Sequence, residues 1–274
     1  MTTAGNLKQA NTSTGTAVIT GASTGIGAVY AERLAKRGYD VLLVARDEKK
    51  LSTLAQEITA TTGRKAEGLA ADLTVKSDLK RVEDRLRADT KITALVNNAG
   101  FGATAKLIDS DIDDMENMIQ LNVTALTRLT AAVLPGLIAK SSGLIVNISS
   151  VVAVNPEMLN GVYGGTKAFV VALTQSLHHE LKDKGITVQA VLPGATSTAF
   201  WDRAKLPVHH LPAAIVMAAE DMVDASLAGL DQGELITIPS LPELADWEKF
   251  EASRKALVPN LSRSQAAARY GLGA

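Results

Sequence analysis

Tyr163 and Lys167 stand four residues apart in the string Tyr-Gly-Gly-Thr-Lys. On a helix that spacing puts both side chains on one face. A phenol with its ordinary pKa near 10 is a poor proton donor or acceptor at neutral pH. An ammonium group beside it stabilises phenolate and brings that pKa toward the working range. The pair therefore has the composition of an acid/base device. The spacing alone is common, and a surface tyrosine next to a surface lysine has it too. Ser150 narrows the reading. It lies thirteen residues before Tyr163, just past the apolar run 144–148, and ligands sit at the carboxyl ends of strands in open α/β sheets.

A second chemical string is Thr20-Gly21-Ala22-Ser23-Thr24-Gly25-Ile26-Gly27. It falls between an apolar run and a helical pattern. Glycines let the chain turn sharply and let a phosphate approach the backbone, while the helix start presents free N–H groups and a positive dipole end. Gly21, Ser23, Thr24, Gly25, Ile26 and Gly27 are the expected lining of a dinucleotide pyrophosphate site. The spacing is G-x-x-x-G-x-G rather than G-x-G-x-x-G, and a tight turn with no ligand is the competing reading. No Lys-Ser/Thr pair follows the last glycine, so it is not a P-loop. About twenty residues on, where an NAD site carries an acid for the ribose 2′-hydroxyl, the chain reads Val44-Ala45-Arg46. A guanidinium can pair with a 2′-phosphate and stack on adenine. NADP(H) is therefore favoured over NAD(H). The alternative is that Arg46 is a solvated charge beside Asp47 and Glu48, with NAD(H) bound.

The elements that would position these residues are legible as alternating periods. Strand-like apolar runs fall at 16–20, 41–45, 66–71, 92–96, 144–148 and 186–192, with a late one at 235–238. Helical spacing fills 25–37, 48–61, 76–88, 111–139 and 161–183. Such alternation implies right-handed βαβ crossovers. The expected fold is α/β: a Rossmann-type doubly wound parallel sheet flanked by helices, a single domain. Its boundaries are read as a mobile tail at 1–14, a dinucleotide-binding catalytic domain at 15–240 with a lid at about 196–211, and a C-terminal extension at 241–274 packing on the same domain. Leu244, Trp247, Phe250 and Leu257 are the extension's candidate anchors. Asn97-Asn98-Ala99-Gly100 closes the fourth strand, and Pro193-Gly194, followed by Thr196 and Thr198, closes the sixth. Four strand ends thus carry small or polar residues at one edge of the sheet. Gly164 and Gly165 cost a helix about 1–2 kcal/mol relative to alanine, and close approach of backbone or ligand is the reading that accounts for them.

Composition excludes several classes. The formal net charge is −1, with 46% hydrophobic and 21% charged residues, so neither nucleic acid nor an acidic membrane surface is an expected partner. There is no cysteine, which removes disulfides, zinc thiolate sites and cysteine nucleophiles. The polar N-terminal stretch and the absence of a long uninterrupted apolar run lead to a cytoplasmic expectation with no membrane span. His178-His179 and His209-His210 lack metal-ligand spacing, and no metal is expected. Met115 and Met118 read as packing. Trp201, after Phe200, is either an aromatic wall of a substrate pocket or core.

Taken in order and at their spacing, these strings resemble those of the classical short-chain dehydrogenase/reductases. The resemblance covers about residues 15–240 and rests on the Thr20–Gly27 loop, Asp72, Asn97–Gly100, Asn122, Ser150, Tyr163-x-x-x-Lys167 and Pro193-Gly194 with Thr198. It implies a catalytic set of Asn122, Ser150, Tyr163 and Lys167. In that set Tyr163 is the acid/base, Ser150 bonds the substrate carbonyl and Asn122 holds a water in a proton relay. It implies cofactor contacts from Asp72 and Leu73 at the adenine, Asn98, Ala99 and Gly100 along the adenosine side, Tyr163 and Lys167 near the nicotinamide ribose, and Pro193, Gly194, Thr196 and Thr198 over the nicotinamide. The implied activity is reversible hydride transfer between NADP(H) and a small ketone or aldehyde. The implied assembly is a homodimer or homotetramer through the helices at 111–139 and 161–183. A non-catalytic dinucleotide-binding regulator or redox sensor is the alternative, and its mark would be a broken tyrosine–lysine pair. Extended relatives acting as epimerases or dehydratases differ in their glycine spacing.

Overall fold

The computed structural model describes residues 14–204 and 206–272. Among these, the strands β1 (Thr16–Thr20), β2 (Asp40–Ala45), β3 (Ala66–Ala70), β4 (Ile92–Asn97), β5 (Gly143–Ile148), β6 (Ile186–Val191) and β7 (Ile236–Thr237) form one parallel sheet. Its order is β3-β2-β1-β4-β5-β6-β7. The strand order reverses between β1 and β4, which opens the crevice where doubly wound sheets bind ligands.

Helices cover both faces. On one side α1 (Gly25–Lys36), α2 (Glu48–Thr62) and α8 (Ala219–Asp231) pack on Ile19, Leu43 and Val146. On the other, α3 (Lys76–Ala88), α5 (Leu126–Lys140) and α6 (Gly161–Leu181) pack on Val18, Leu42 and Ile145. Neighbours along a strand thus serve opposite cores, which is why these runs are apolar without alternation. The remaining helices of this unit are α4 (Ile112–Ile119) and the four-residue α7 (Phe200–Arg203).

The expected elements are present with four revisions. The helix expected at 111–139 is α4, a π-helical turn at Gln120–Ala125 and α5. The stretch 112–140 is long and apolar enough by composition to cross a membrane. Its apolar face packs the core through Met115, Met118, Leu129, Val133 and Leu137. The helix α8 is an addition to the expected elements, and it buries Met222, Val223 and Leu227 at helical spacing beside Ala219, Ser226 and Gly229. The stretch 196–211 is not a plain loop. It contains α7 and a 3₁₀ turn at Val208–His210, and Thr196 pairs with Met217 in an isolated parallel bridge. Of the tail expected at 1–14, residues 1–13 lie outside the described residues. Thr14 is tied in by its N–H on the Gly38 carbonyl at 3.1 Å.

The sheet and its helices form one compact unit ending at Pro239, and Ser240–Ala274 form a second. The second unit is built on α9 (Leu244–Ala256), where Trp247 stacks on Phe250 with ring centroids 5.2 Å apart. The expected anchors Leu244, Phe250 and Leu257 are exposed. Helical spacing alone does not say whether an apolar face finds a partner.

Candidate active site

The glycine loop is a cradle in which backbone lies on backbone. Gly21 and Gly25 have φ of +65° and +58°, values that favour glycine. A Cβ on Gly27 would lie 2.4 Å from the Gly21 carbonyl oxygen, and one on Gly21 would lie 2.9 Å from the Ala99 Cα. Asn98 braces this turn from the end of β4: its Nδ2 donates to the carbonyls of Thr20 at 2.9 Å and Gly21 at 3.2 Å. The Thr20 hydroxyl accepts the N–H groups of Asn98 and Ala99 at 3.0 Å each. Among the described residues no side chain caps α1, and its first turn holds no acid. A helix start left without a cap suits an anionic group, so the residues present fit a dinucleotide pyrophosphate. Ser23 is half-buried and Thr24 exposed in the loop, while Ile26 packs on the core.

Arg46 follows β2 with its side chain 65% exposed, 3.9 Å from the Asp72 carboxylate. An exposed pair at that separation is weak, so the guanidinium is open to a stronger anion. The other Asp72 oxygen accepts the Thr74 N–H and hydroxyl. These bonds and the Arg46 charge overcome partial burial and hold the Asp72 carboxyl below its usual range. The Leu73 side chain is buried in the core, so only its backbone can contribute to a cofactor site.

Tyr163, Lys167 and Ser150 converge at the ends of β5 and α6. The Lys167 Nζ donates to the Ile148 carbonyl at 2.9 Å, and the Ser149 hydroxyl donates to the Lys167 carbonyl at 2.8 Å. Lys167 is thus held at both ends by one strand terminus. Its Nζ lies 5.9 Å from the Tyr163 ring centroid. Ser150 lies close enough to the Tyr163 hydroxyl to act on its protonation. The Ser150 oxygen accepts the Val152 N–H at 3.4 Å and lies 3.5 Å from the Pro193 carbonyl. Burial pushes the Tyr163 phenol up to about 12, with Ser150 opposing it. Burial also lowers the Lys167 ammonium to about 8. The expectation of a phenol lowered by its lysine neighbour is therefore corrected. Desolvation disfavours both charged forms and dominates at Tyr163.

Asn122 is buried in the π-helical turn. Its Oδ1 accepts the Phe101 N–H at 3.1 Å, and its Nδ2 donates to the Phe101 carbonyl at 2.9 Å and the Thr166 hydroxyl at 3.1 Å. Both amide hydrogens are engaged, and acceptor capacity remains on Oδ1. Gly100 separates this amide from the lysine: a Cβ there would lie 2.9 Å from Asn122 Oδ1 and 3.5 Å from Lys167 Nζ. Thr198 reaches across the crevice, with its Cγ2 3.0 Å from where a Gly25 Cβ would be. Pro193 and Thr196 are buried, and Gly194 accepts the Thr196 hydroxyl at 3.2 Å. The cofactor-binding and acid/base strings thus share one crevice.

Three contributors escaped sequence reasoning. Asn160 caps α6 by accepting the N–H groups of Val162 at 2.9 Å and Tyr163 at 3.4 Å. It also donates to the Ala105 carbonyl at 2.7 Å, which sets where Tyr163 starts. An asparagine just before a helix was the available signal. Phe200 lies against Tyr163 with centroids 5.8 Å apart, and Gly102 permits that contact. Trp201 is core: it is buried, and its indole N–H donates to the Thr196 carbonyl at 2.9 Å. Of the two helical glycines, Gly164 is packed on Pro156, where a Cβ would lie 3.1 Å from the Pro156 Cβ. Gly165 faces open space among the described residues.

Comparison with known proteins gives the class. The short chain dehydrogenase family model matches residues 15–207. An uncharacterized oxidoreductase of Staphylococcus epidermidis is 36% identical over 212 residues, covering 74% of this chain and 89% of that one. Among solved structures, a short-chain dehydrogenase from Sphingobium yanoikuyae in complex with NADPH is 48% identical with a TM-score of 0.89. That match covers 92% of this chain and 98% of the other. A bulky-bulky ketone specific alcohol dehydrogenase from Comamonas testosteroni is 43% identical with a TM-score of 0.87, covering 94% and 99%. The chain belongs to the short-chain dehydrogenase family. It is an oxidoreductase of that type, acting on small molecules.

Proposed function

We propose that the protein is an NADP(H)-dependent carbonyl reductase that reduces a ketone or aldehyde to its alcohol, reversibly. The observation that carries this reading is the convergence of Ser150 and Tyr163 with Lys167 buried beside them, its Nζ on the Ile148 carbonyl, at the sheet edge that also holds the glycine cradle. The intact tyrosine–lysine pair disfavours a binding-only regulator. Arg46, the uncapped start of α1 and the NADPH complex of the Sphingobium relative support NADP(H). The Comamonas relative supports a ketone.

When bound, the nicotinamide supplies the hydride to the carbonyl carbon. The chain's own residues handle position and protons. Ser150 donates a hydrogen bond to the substrate oxygen and orients it. Tyr163 gives its proton to that oxygen as negative charge develops. Burial keeps the phenol protonated through the working pH range, which suits the reductive direction. Lys167 in its ammonium form stabilises the phenolate left behind, and Asn122 keeps acceptor capacity on Oδ1 for a relay water. Gly21–Gly27 and Arg46 would hold the phosphates of the cofactor, and 193–198 would lie over its nicotinamide.

A homo-oligomer is part of the proposal. Ile119 on α4 and Phe169 on α6 are exposed, on the helices that such an assembly would pair. The deciding experiment follows consumption of NADPH and NADH in parallel over a panel of ketones, aldehydes and diketones. Turnover preferring NADPH is expected. Equal use of NADH would overturn the role of Arg46, and no turnover with any carbonyl would overturn the reductase reading.

A further inference from the structure

We infer that Gly102 and Phe200 together set the substrate preference, forming an apolar face beside Tyr163 that takes a flat aromatic substituent of the carbonyl substrate. This rests on the reductase reading and names the substrate class of that site.

Phe200 lies between two rings. Its centroid is 5.8 Å from Tyr163 at 43° and 5.3 Å from Trp201 at 84°, an edge-on contact. Trp201 is fixed by its bond to Thr196, and α7 is tied down at its far end by the Thr104 hydroxyl donating to the Ala204 carbonyl at 2.9 Å. Phe200 itself is half-buried, so part of its ring remains for another molecule. It joins a small apolar cluster of Met115, Met118, Val152 and Tyr163 that is separate from the two main cores. A carbonyl oxygen within reach of Tyr163 and Ser150 puts its substituents next to this cluster. An aromatic ring there gains the offset or edge contacts that rings prefer, and an alkyl chain does not.

Gly102 is what admits Phe200. A Cβ at this buried position would lie 2.6 Å from Phe200 Cζ and 3.1 Å from Tyr163 Cδ2. The first distance is a clash with the end of a side chain that can swing away. The second is tight but lies against a buried, anchored ring. Alanine at 102 therefore displaces Phe200 and leaves Tyr163 near its place.

The test compares wild type, Gly102→Ala, Phe200→Ala and the double variant. The readouts are kcat and KM with acetophenone and 2-butanone, and the calorimetric affinity of benzophenone for the enzyme–NADP⁺ complex. Each single variant should lower the acetophenone/2-butanone ratio of kcat/KM by about tenfold, mostly through KM, and weaken benzophenone comparably. In the Phe200→Ala background, Gly102→Ala should add less than about twofold, because its clash partner is gone. A full further loss in the double variant would overturn the inference, as would an unchanged ratio in both singles or no benzophenone binding to the wild type. Failure of the reductase reading looks different: neither ketone turns over, while the benzophenone series still reads the aromatic face.

Discussion

The two halves of the sheet are built on different principles. β1 and β2 are mainly apolar, and the functional part is a turn in which Gly21 and Gly27 touch through main-chain atoms, with the Arg46 guanidinium just past β2. From β4 onward the interior carries a buried polar chain. The Asn97 Nδ2 donates to Thr130 at 3.0 Å and to Asn147 at 2.9 Å, and the Asn147 Nδ2 donates to Thr174 at 2.9 Å. All four side chains are buried. The network links β4, α5, β5 and α6, and Thr174 lies on the helix that carries Tyr163 and Lys167. The half that cradles phosphates relies on shape, amide dipoles and one exposed guanidinium. The half that moves a proton needs side chains held in one register, and directional bonds do that better than apolar contact.

The contrast can be broken on either side. Tyr163→Phe strikes the proton-moving half and should cut turnover by about a thousandfold while NADPH titration still shows binding. Substantial residual turnover would place the acid elsewhere. Arg46→Ala strikes the cradle and should raise the KM for NADPH by about 10–100-fold and that for NADH far less. An equal rise for both would remove the 2′-phosphate contact.

The pH profile sharpens the comparison. Burial lowers Lys167 to about 8, and the active form is the ammonium below that value. The reduction rate should therefore fall about tenfold from pH 7 to pH 9, with Tyr163 still protonated. Stability moves the other way. Between about 8 and the ordinary lysine value the unfolded chain holds more protons than the folded one, so this group's contribution to stability grows as pH rises. Lys167→Met should abolish the rising stability in that window, which a chemical-denaturation series at stepped pH would read. The smallest effect is expected from Thr174→Val, which leaves the Asn147 amide without its acceptor. It should cost about 1–3 kcal/mol, seen as a Tm lower by about 2–4 °C per kcal/mol, with NADPH affinity retained. A loss of NADPH affinity as large as that in Arg46→Ala would mean that the halves are not separable.

Much of this was legible in the residues. Runs such as 41–45 announce strands covered on both faces, and the glycine loop, Ser150 and the Tyr163–Lys167 pair announce the crevice. The α8 helix, with Met222, Val223 and Leu227 at helical spacing, was legible in the same way but not among the expected elements. Leu73 shows a finer limit: a position beside a cofactor motif can turn its side chain into the core.

The sequence by itself determined the periods, and with them the layered parallel sheet, because strand and helix spacing are local properties of the chain. It also determined many of the chemical groups that reach the crevice, since the glycine loop, Asn98, Ser150 and Pro193–Gly194 follow strand ends and Tyr163 and Lys167 share one helix face. Tertiary structure alone decided that Phe200 rather than Trp201 meets Tyr163, that Asn160 fixes the start of α6, and that the phenol is pushed up rather than down. Those outcomes depend on groups distant along the chain that arrive together in space. A pKa in particular reports the sum of burial and contacts from every direction, of which the spacing of two residues on one helix supplies a single part.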